Sequence, residues 1–187
     1  MSAVLLHQPS DILGSKGKEY LAGLEEMKKQ GFVSKVGYSI YSPDVLEELT
    51  DVFWPDIIQT PYNIFDQRIK TSGWLTKLGD RGTKVHARSI FLQGLLLMNR
   101  DSRPSYFKKW EGHLNCWDNL VGSQELTAME CALNFVVEDE RFEAVIVGVD
   151  TAKQLQELIG ACGKKCKLSL EHLGVTEADF IEPFRWS

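Results

Sequence analysis

The chain has 187 residues, 43% hydrophobic and 25% charged, the balance of an ordinary globular domain; disorder, collagen-like repeats and coiled coil are excluded as descriptions of the whole. Its net charge of −5, from 21 basic and 26 acidic residues, argues against nucleic acid as a main partner. The longest apolar run, residues 90–98, is interrupted by Gln93 and Gly94, so no membrane-spanning helix is expected; the start, Met1 to His7, lacks a secretion pattern, and a cytoplasmic location is expected.

In chain order, Val4, Leu5 and Leu6 form a short β-prone run that Pro9 stops. In residues 15–30, Tyr20, Leu21, Leu24 and Met27 recur at helical spacing among charges, and Gly31 lies just beyond the helix. Residues 34–40 read as a strand. Ser42 is set to cap the next helix, with Pro43 at its first position and Val45, Leu46, Leu49, Val52 and Phe53 as its buried stripe. Residues 56–60 form a strand, 69–78 a helix ending near Gly79 and Gly82, and 83–89 a strand with an apolar continuation to Met98. A polar loop (100–105) leads into an aromatic-rich helix over 106–120. The helix over 124–138 turns Ala128, Cys131, Ala132, Phe135 and Val136 inward. Residues 144–149 read as an apolar strand. Asp150 or Thr151 caps a last helix to Ala161, with Leu155, Leu158, Ile159 and Cys162 as its stripe; a short helix and tail follow.

Ile57-Ile58 and Val145-Ile146-Val147 are apolar on both faces, the mark of parallel strands covered by helices. The fold class is therefore α/β, built from right-handed β-α-β units. Four cysteines are too few for a disulfide framework, and Cys162 and Cys166, separated by Gly-Lys-Lys, have no second pair at zinc-ligand spacing; free thiols are expected and no metal. His86 reads as an outward or satisfied strand residue, while His113 and His172 lack partners at ligand spacing. Trp74, Trp110 and Trp117 read as helix-packing aromatics, and Lys164-Lys165 as a solvated pair.

Five segments, in order, resemble the aldo-keto reductases, NAD(P)H-dependent enzymes on a (β/α)8 barrel. Leu5-Leu6-His7-Gln8-Pro9 is similar to the strand that carries the family's catalytic histidine. Residues 24–40 resemble the following helix and strand, and Ile58-Gln59-Thr60-Pro61-Tyr62-Asn63 the next strand. Residues 87–97 resemble the seventh strand and cofactor loop, and 144–157 the eighth strand and the helix near the adenosine end. The resemblance implies a partial (β/α)8 TIM barrel of about five parallel strands, the equivalents of strands 4–8. Residues 1–187 would form one partial barrel domain, with 161–187 as a C-terminal tail. A full barrel needs about 250 residues.

The resemblance also implies site roles. His7 would be catalytic, orienting a carbonyl, or else only a polar strand-end residue. The Asp, Tyr and Lys of the family's tetrad belong to β/α units upstream of the histidine strand and have no counterparts here. General acid help is worth roughly 10²–10⁴-fold, so the chain alone is expected to be inactive. For the cofactor, NADP(H) or NAD(H), Ser39 and Gln59 would serve the nicotinamide carboxamide, and Arg88 would stack as a guanidinium where many members have an aromatic ring. Ser89, Phe91 and Gly94 would wrap the pyrophosphate. Gly148 would permit close approach before a helix N-terminus. Thr151, Lys153, Gln154 and Glu157 would serve the adenine and 2′-phosphate. Ile40, Leu158 and Asp150 depart from the pattern, and the Asp150 carboxylate would repel a 2′-phosphate. The 88–97 loop is similar to bacterial members found among surface-sugar biosynthesis genes. A small-molecule carbonyl compound is the implied substrate. The alternative is a non-catalytic nucleotide-binding or oligomeric half-barrel module. Five strands cannot close an eight-stranded barrel, so a homo-oligomer, a missing N-terminal half, or a cover made by Phe180, Ile181, Phe184 and Trp186 is expected.

Overall fold

The computed structural model describes residues 1–164 and 170–186. Five strands form one sheet in the order β1-β2-β3-β4-β5, with β1 and β5 at its edges. They are β1 (Ala3–Leu6), β2 (Lys35–Ser39), β3 (Ile57–Pro61), β4 (Lys84–Arg88) and β5 (Ala144–Val145). All run parallel, each laid beside its predecessor in sequence, as consecutive barrel strands would be. Between them lie α1 (Gly17–Lys29), α2 (Leu46–Val52), α3 (Arg68–Thr71) and α4 (Trp74–Asp80), then α5 (Glu111–Gly122) and α6 (Ala128–Val137). After β5 come α7 (Ala152–Ala161) and α8 (Ala178–Ile181).

The chain packs as two interleaved compact units, the first comprising Met1–Pro61, Ile69–Ala87 and Arg141–Ala144 and the second Tyr62–Arg68, Arg88–Glu140 and Val145–Ser187. In the first, β1 pairs with β2 from Ala3↔Lys35 to Leu6↔Tyr38, and β2 with β3 from Gly37↔Ile57 to Ser39↔Gln59. Gly37 is required there, because a Cβ would meet the Ile57 carbonyl oxygen at 1.7 Å. Leu24 of α1, Val33 and Val36 form a buried cluster with Val4, Leu6, Leu21, Met27 and Phe53 against it. Asp56 ties helix to sheet: its carboxylate accepts from Lys28 Nζ at 2.6 Å and from the Val36 amide at 3.0 Å. His86 is satisfied as expected, Nε2 lying 3.1 Å from Glu143 Oε2.

In the second unit, Ile64, Phe65, Leu92, Leu95, Leu96, Phe107, Trp110, Leu114, Trp117, Cys131, Ala132, Leu170, Leu173, Phe180 and Ile181 form one buried core. An ion network latches the tail to it. Arg68 donates to both Asp66 oxygens at 2.9 Å and to Glu182 Oε1 at 2.8 Å, while Arg185 donates to Glu182 Oε2 at 2.6 Å. Burial pushes the Asp66 carboxyl up against the opposing pull of Arg68. Burial pushes Glu182 up too, but Arg68 and Arg185 together outweigh it and hold that carboxyl below its usual range.

Several expectations are corrected. The stripes of α1 and α2 are narrower than read, since Tyr20, Val45 and Val52 are exposed. The helix over 69–78 is two helices, because Gly73 takes φ +81° between them, and a left-handed residue ends a helical turn. The helix of 124–138 begins only at Ala128, where Thr127 and Glu130 form a reciprocal capping box. Residues 90–98 do not extend β4. Leu92, Leu95 and Leu96 turn into the core on a coiled loop instead. Segment 144–149 keeps only two strand residues, with Ile146 and Val149 exposed, because an edge strand has a ladder on one side alone. The stripe of α7 is not buried: Leu155 is 48% and Ile159 67% exposed, Cys162 is exposed, and Ala161 alone is buried. Of the tail aromatics, Phe180 is buried but Phe184 is 61% exposed. Cys166 and Lys165 lie outside the described residues.

Candidate functional site

In the first unit the register brings two expected site residues, Ser39 and Gln59, to one level, with His7 one residue past the end of β1. Ser39 pairs with Gln59 at the C-terminal ends of β2 and β3, and His7 comes just after β1, whose last residue, Leu6, pairs with Tyr38 beside Ser39. Ser39 is buried, Gln59 half-buried and His7 exposed, with its ring edge-on to Tyr41 at 6.2 Å. In-register residues of parallel strands share a face, so the Ser39 and Gln59 side chains project to the same side.

The second unit holds a pocket of about 400 Å³, lined by Ser89, Ile90, Phe91, Gln93, Gly94, Leu97, Ile146, Val147, Gly148 and Asp150. One wall is the loop after β4. Its backbone is unusual, with Ser89 at φ +56°, Leu92 at +46°, Gln93 at +52° and Gly94 at +84°. Three non-glycine residues in the left-handed region cost about 1–2 kcal/mol each and persist only where the surroundings impose them. Here the restraints are explicit. The amide of Tyr62 donates to Arg88 O at 3.1 Å, and Asn63 Nδ2 to Ser89 O at 3.1 Å. Trp117 Nε1 donates to Leu96 O at 3.0 Å. Arg103, held by Asp118, donates to Met98 O at 3.3 Å. The three buried leucines pin the same turns from the core side.

The opposite wall is the stretch between β5 and α7. Gly148 has no left-handed φ, and a Cβ added to it would meet nothing within 4 Å; the same open space lies beside Gly94. Packing within the chain therefore does not demand glycine at 148, which leaves bare backbone facing the pocket.

The pocket thus unites Ser89, Phe91, Gly94 and Gly148, and adds Asp150. Arg88, half-buried, donates from Nη1 to Ser89 Oγ at 3.1 Å, behind the pocket loop. Thr151, Lys153, Gln154 and Glu157 do not line it. Thr151 caps α7, its Oγ1 accepting from the Gln154 amide at 3.1 Å, while Gln154 Oε1 accepts from the amides of Asp150 at 2.7 Å and Thr151 at 3.2 Å. Lys153 and Glu157 form an exposed pair one turn apart, 3.8 Å between Nζ and Oε1. Among the described residues no group of three or more His, Cys, Asp or Glu could hold a metal ion.

Sequence reasoning assigned no role to Asn63, which organises the loop. Fully buried, it accepts at Oδ1 from the amides of Phe65 at 3.0 Å and Asp66 at 2.9 Å while its amide nitrogen reaches Ser89. The signal was an asparagine straight after Pro-Tyr at a strand end, where its side chain mimics a turn. Asn134 was missed too: it donates to Ala161 O at 2.9 Å and accepts from Gly163 N at 2.9 Å, joining α6 to the end of α7.

The model of the Aldo/keto reductase family matches residues 2–177. A Bacillus subtilis (strain 168) protein described as the uncharacterized oxidoreductase YqkF is 25% identical over 156 residues, which is 79% of this chain and 50% of that protein. The L-glyceraldehyde 3-phosphate reductase of Escherichia coli O157:H7 is 28% identical over 170 residues, 77% of this chain and 49% of the relative. The chain thus spans about half the length of the curated relatives it matches. Among solved structures, the holo form of aldo-keto reductase AKR11C1 from Bacillus halodurans superposes with a TM-score of 0.73 at 20% identity, covering 99% of this chain and 64% of that one. With nearly the whole length matched by the family's pattern, and with its consecutive parallel strands, the chain belongs to the aldo-keto reductase family.

Proposed function

We propose that this chain is the nucleotide-binding part of an oxidoreductase that interconverts carbonyl compounds and alcohols with NAD(H) or NADP(H). The observation that carries this reading is the pocket of about 400 Å³, a volume suited to a cofactor segment, made from a restrained loop ending at Leu97 and a glycine-bearing turn beginning at Ile146. Its residues fit the group: bare backbone at Gly94 and Gly148 admits close approach of a pyrophosphate, and Phe91 and Leu97 offer apolar surface. Ser39 and Gln59 would hold the carboxamide end, Arg88 would stack by the nicotinamide, and α7, with Thr151, Lys153, Gln154 and Glu157, would lie near the adenosine. When bound, the dinucleotide supplies or accepts the hydride. His7 would orient the carbonyl oxygen. The proton for the developing alkoxide would come from a general acid on further β/α units, in keeping with relatives about twice as long. The E. coli relative, a reductase of an aldehyde by name, supports small carbonyl substrates.

Calorimetric titration of the chain with NADH and with NADPH tests this. Saturable one-to-one binding is expected for at least one of them, and carbonyl reduction only when an N-terminal half is supplied. Heat no greater than dilution for both at millimolar concentration would refute the reading.

A second reading, a non-catalytic oligomeric module, draws on exposed Ile146, Val149, Leu155 and Ile159 in the second unit. Sedimentation equilibrium separates the two: a stable homo-oligomer that binds no dinucleotide favours the module.

A further inference from the structure

We propose that Asp150 makes this pocket selective for a dinucleotide whose adenosine ribose carries free hydroxyls, NAD(H) and not NADP(H). The inference rests on the dinucleotide reading of the pocket and deepens it. Two independent observations carry it.

The first is charge. Asp150 is the one ionisable side chain in the lining, at the mouth of α7. A dianionic phosphate about 6 Å from a carboxylate loses roughly tenfold in affinity at the dielectric of water and low ionic strength. A carboxylate instead accepts hydrogen bonds from vicinal ribose hydroxyls.

The second is donor accounting. A helix N-terminus attracts phosphate through its free amides. Here Gln154 Oε1 takes the amides of Asp150 and Thr151, and the Gln154 amide is spent on Thr151 Oγ1. Three backbone donors at the entrance to the helix are thus engaged inside the chain. The capping box draws three amides away from a ligand, and the adjoining pocket lining carries the Asp150 carboxylate. A ribose diol needs an acceptor there, and Asp150 is that acceptor.

The experiment compares the full chain with Asp150→Asn and Asp150→Ser, using NADH, NADPH, 5′-AMP and adenosine 2′,5′-bisphosphate as probes in calorimetry. Asp150 is exposed, and its substitution leaves the backbone cap in place. The wild type is expected to bind NADH at least about tenfold more tightly than NADPH. Either variant should improve NADPH and the bisphosphate by about tenfold or more while weakening NADH and 5′-AMP. Equal or tighter NADPH binding by the wild type, or variants that move both members of each pair alike, overturns the proposal but leaves dinucleotide binding standing. Binding of none of the four overturns both.

Discussion

Replacing Asn63 with alanine removes three hydrogen bonds at once, the buried ones from the amides of Phe65 and Asp66 and a part-buried one to the Ser89 carbonyl. The site is completely buried, so water cannot take over cheaply. Each orphaned buried group costs about 1–3 kcal/mol, and for three partners with some local relaxation the expected loss is about 3–5 kcal/mol, a large fraction of a domain's stability. Asn63→Asp keeps the acceptor for Phe65 and Asp66 but, ionised, cannot donate to Ser89. It also places a carboxylate oxygen against the Ser89 carbonyl, and so releases the residue that starts the pocket loop. Urea denaturation followed by tryptophan fluorescence reads the stability, and dinucleotide titration of Asn63→Asp reads the loop. A loss below about 1 kcal/mol for Asn63→Ala, or undiminished binding by Asn63→Asp, would show that Asn63 does not hold the loop in its left-handed turns.

Gly148→Ala places a methyl group where no atom of the chain stands within 4 Å. Its denaturation midpoint should barely move, within about 0.5 kcal/mol, while dinucleotide affinity falls by about tenfold or more; unchanged affinity counts against a ligand passing Gly148. Asn134→Ala unties α6 from the end of α7 and should cost about 2–4 kcal/mol in urea denaturation, with a loss under 1 kcal/mol contradicting the clamp. Glu182 is held below its unfolded value by Arg68 and Arg185, so the stability it contributes is present at neutral pH and is lost as the pH falls through the folded value, below about pH 4.3. Asp66, raised by burial, works in the opposite sense, so the readout is the difference between wild type and Glu182→Gln. That difference in stability should shrink on acidification, and a difference independent of pH would refute the latch.

What the sequence revealed and what it hid follow from how local each signal is. Strands β1 to β4 were legible because short apolar runs bounded by turn residues need only neighbours to be read. The Ser42 cap and the Thr151 cap were legible for the same reason. The stripe on α7 was misread because helical spacing shows which side chains share a face, not whether anything covers it; Ile159 is on the face and in solvent. The 90–98 segment was misread because its leucines could be buried by a strand or by a coiled loop. Long-range hydrogen bonds, among them those from Asn63 and Trp117, select the loop, with its positive φ at Ser89, Leu92 and Gln93. The Arg68–Glu182 latch joins residues 114 apart, beyond any local pattern. Of the expected cofactor residues, the glycines and their loop partners converge, while Thr151 Oγ1 and Gln154 Oε1 accept from amides at the helix end.

The dinucleotide reading rests on the pocket between the 89–97 loop and the turn before α7. Backbone amide chemical shifts of the isotope-labelled chain during titration with NADH test it most directly. The account predicts saturable shifts concentrated at Ser89, Phe91, Gly94, Gly148 and Asp150, weakened by Gly148→Ala. Shifts confined to other parts of the chain, or none at millimolar NADH and NADPH, would contradict it.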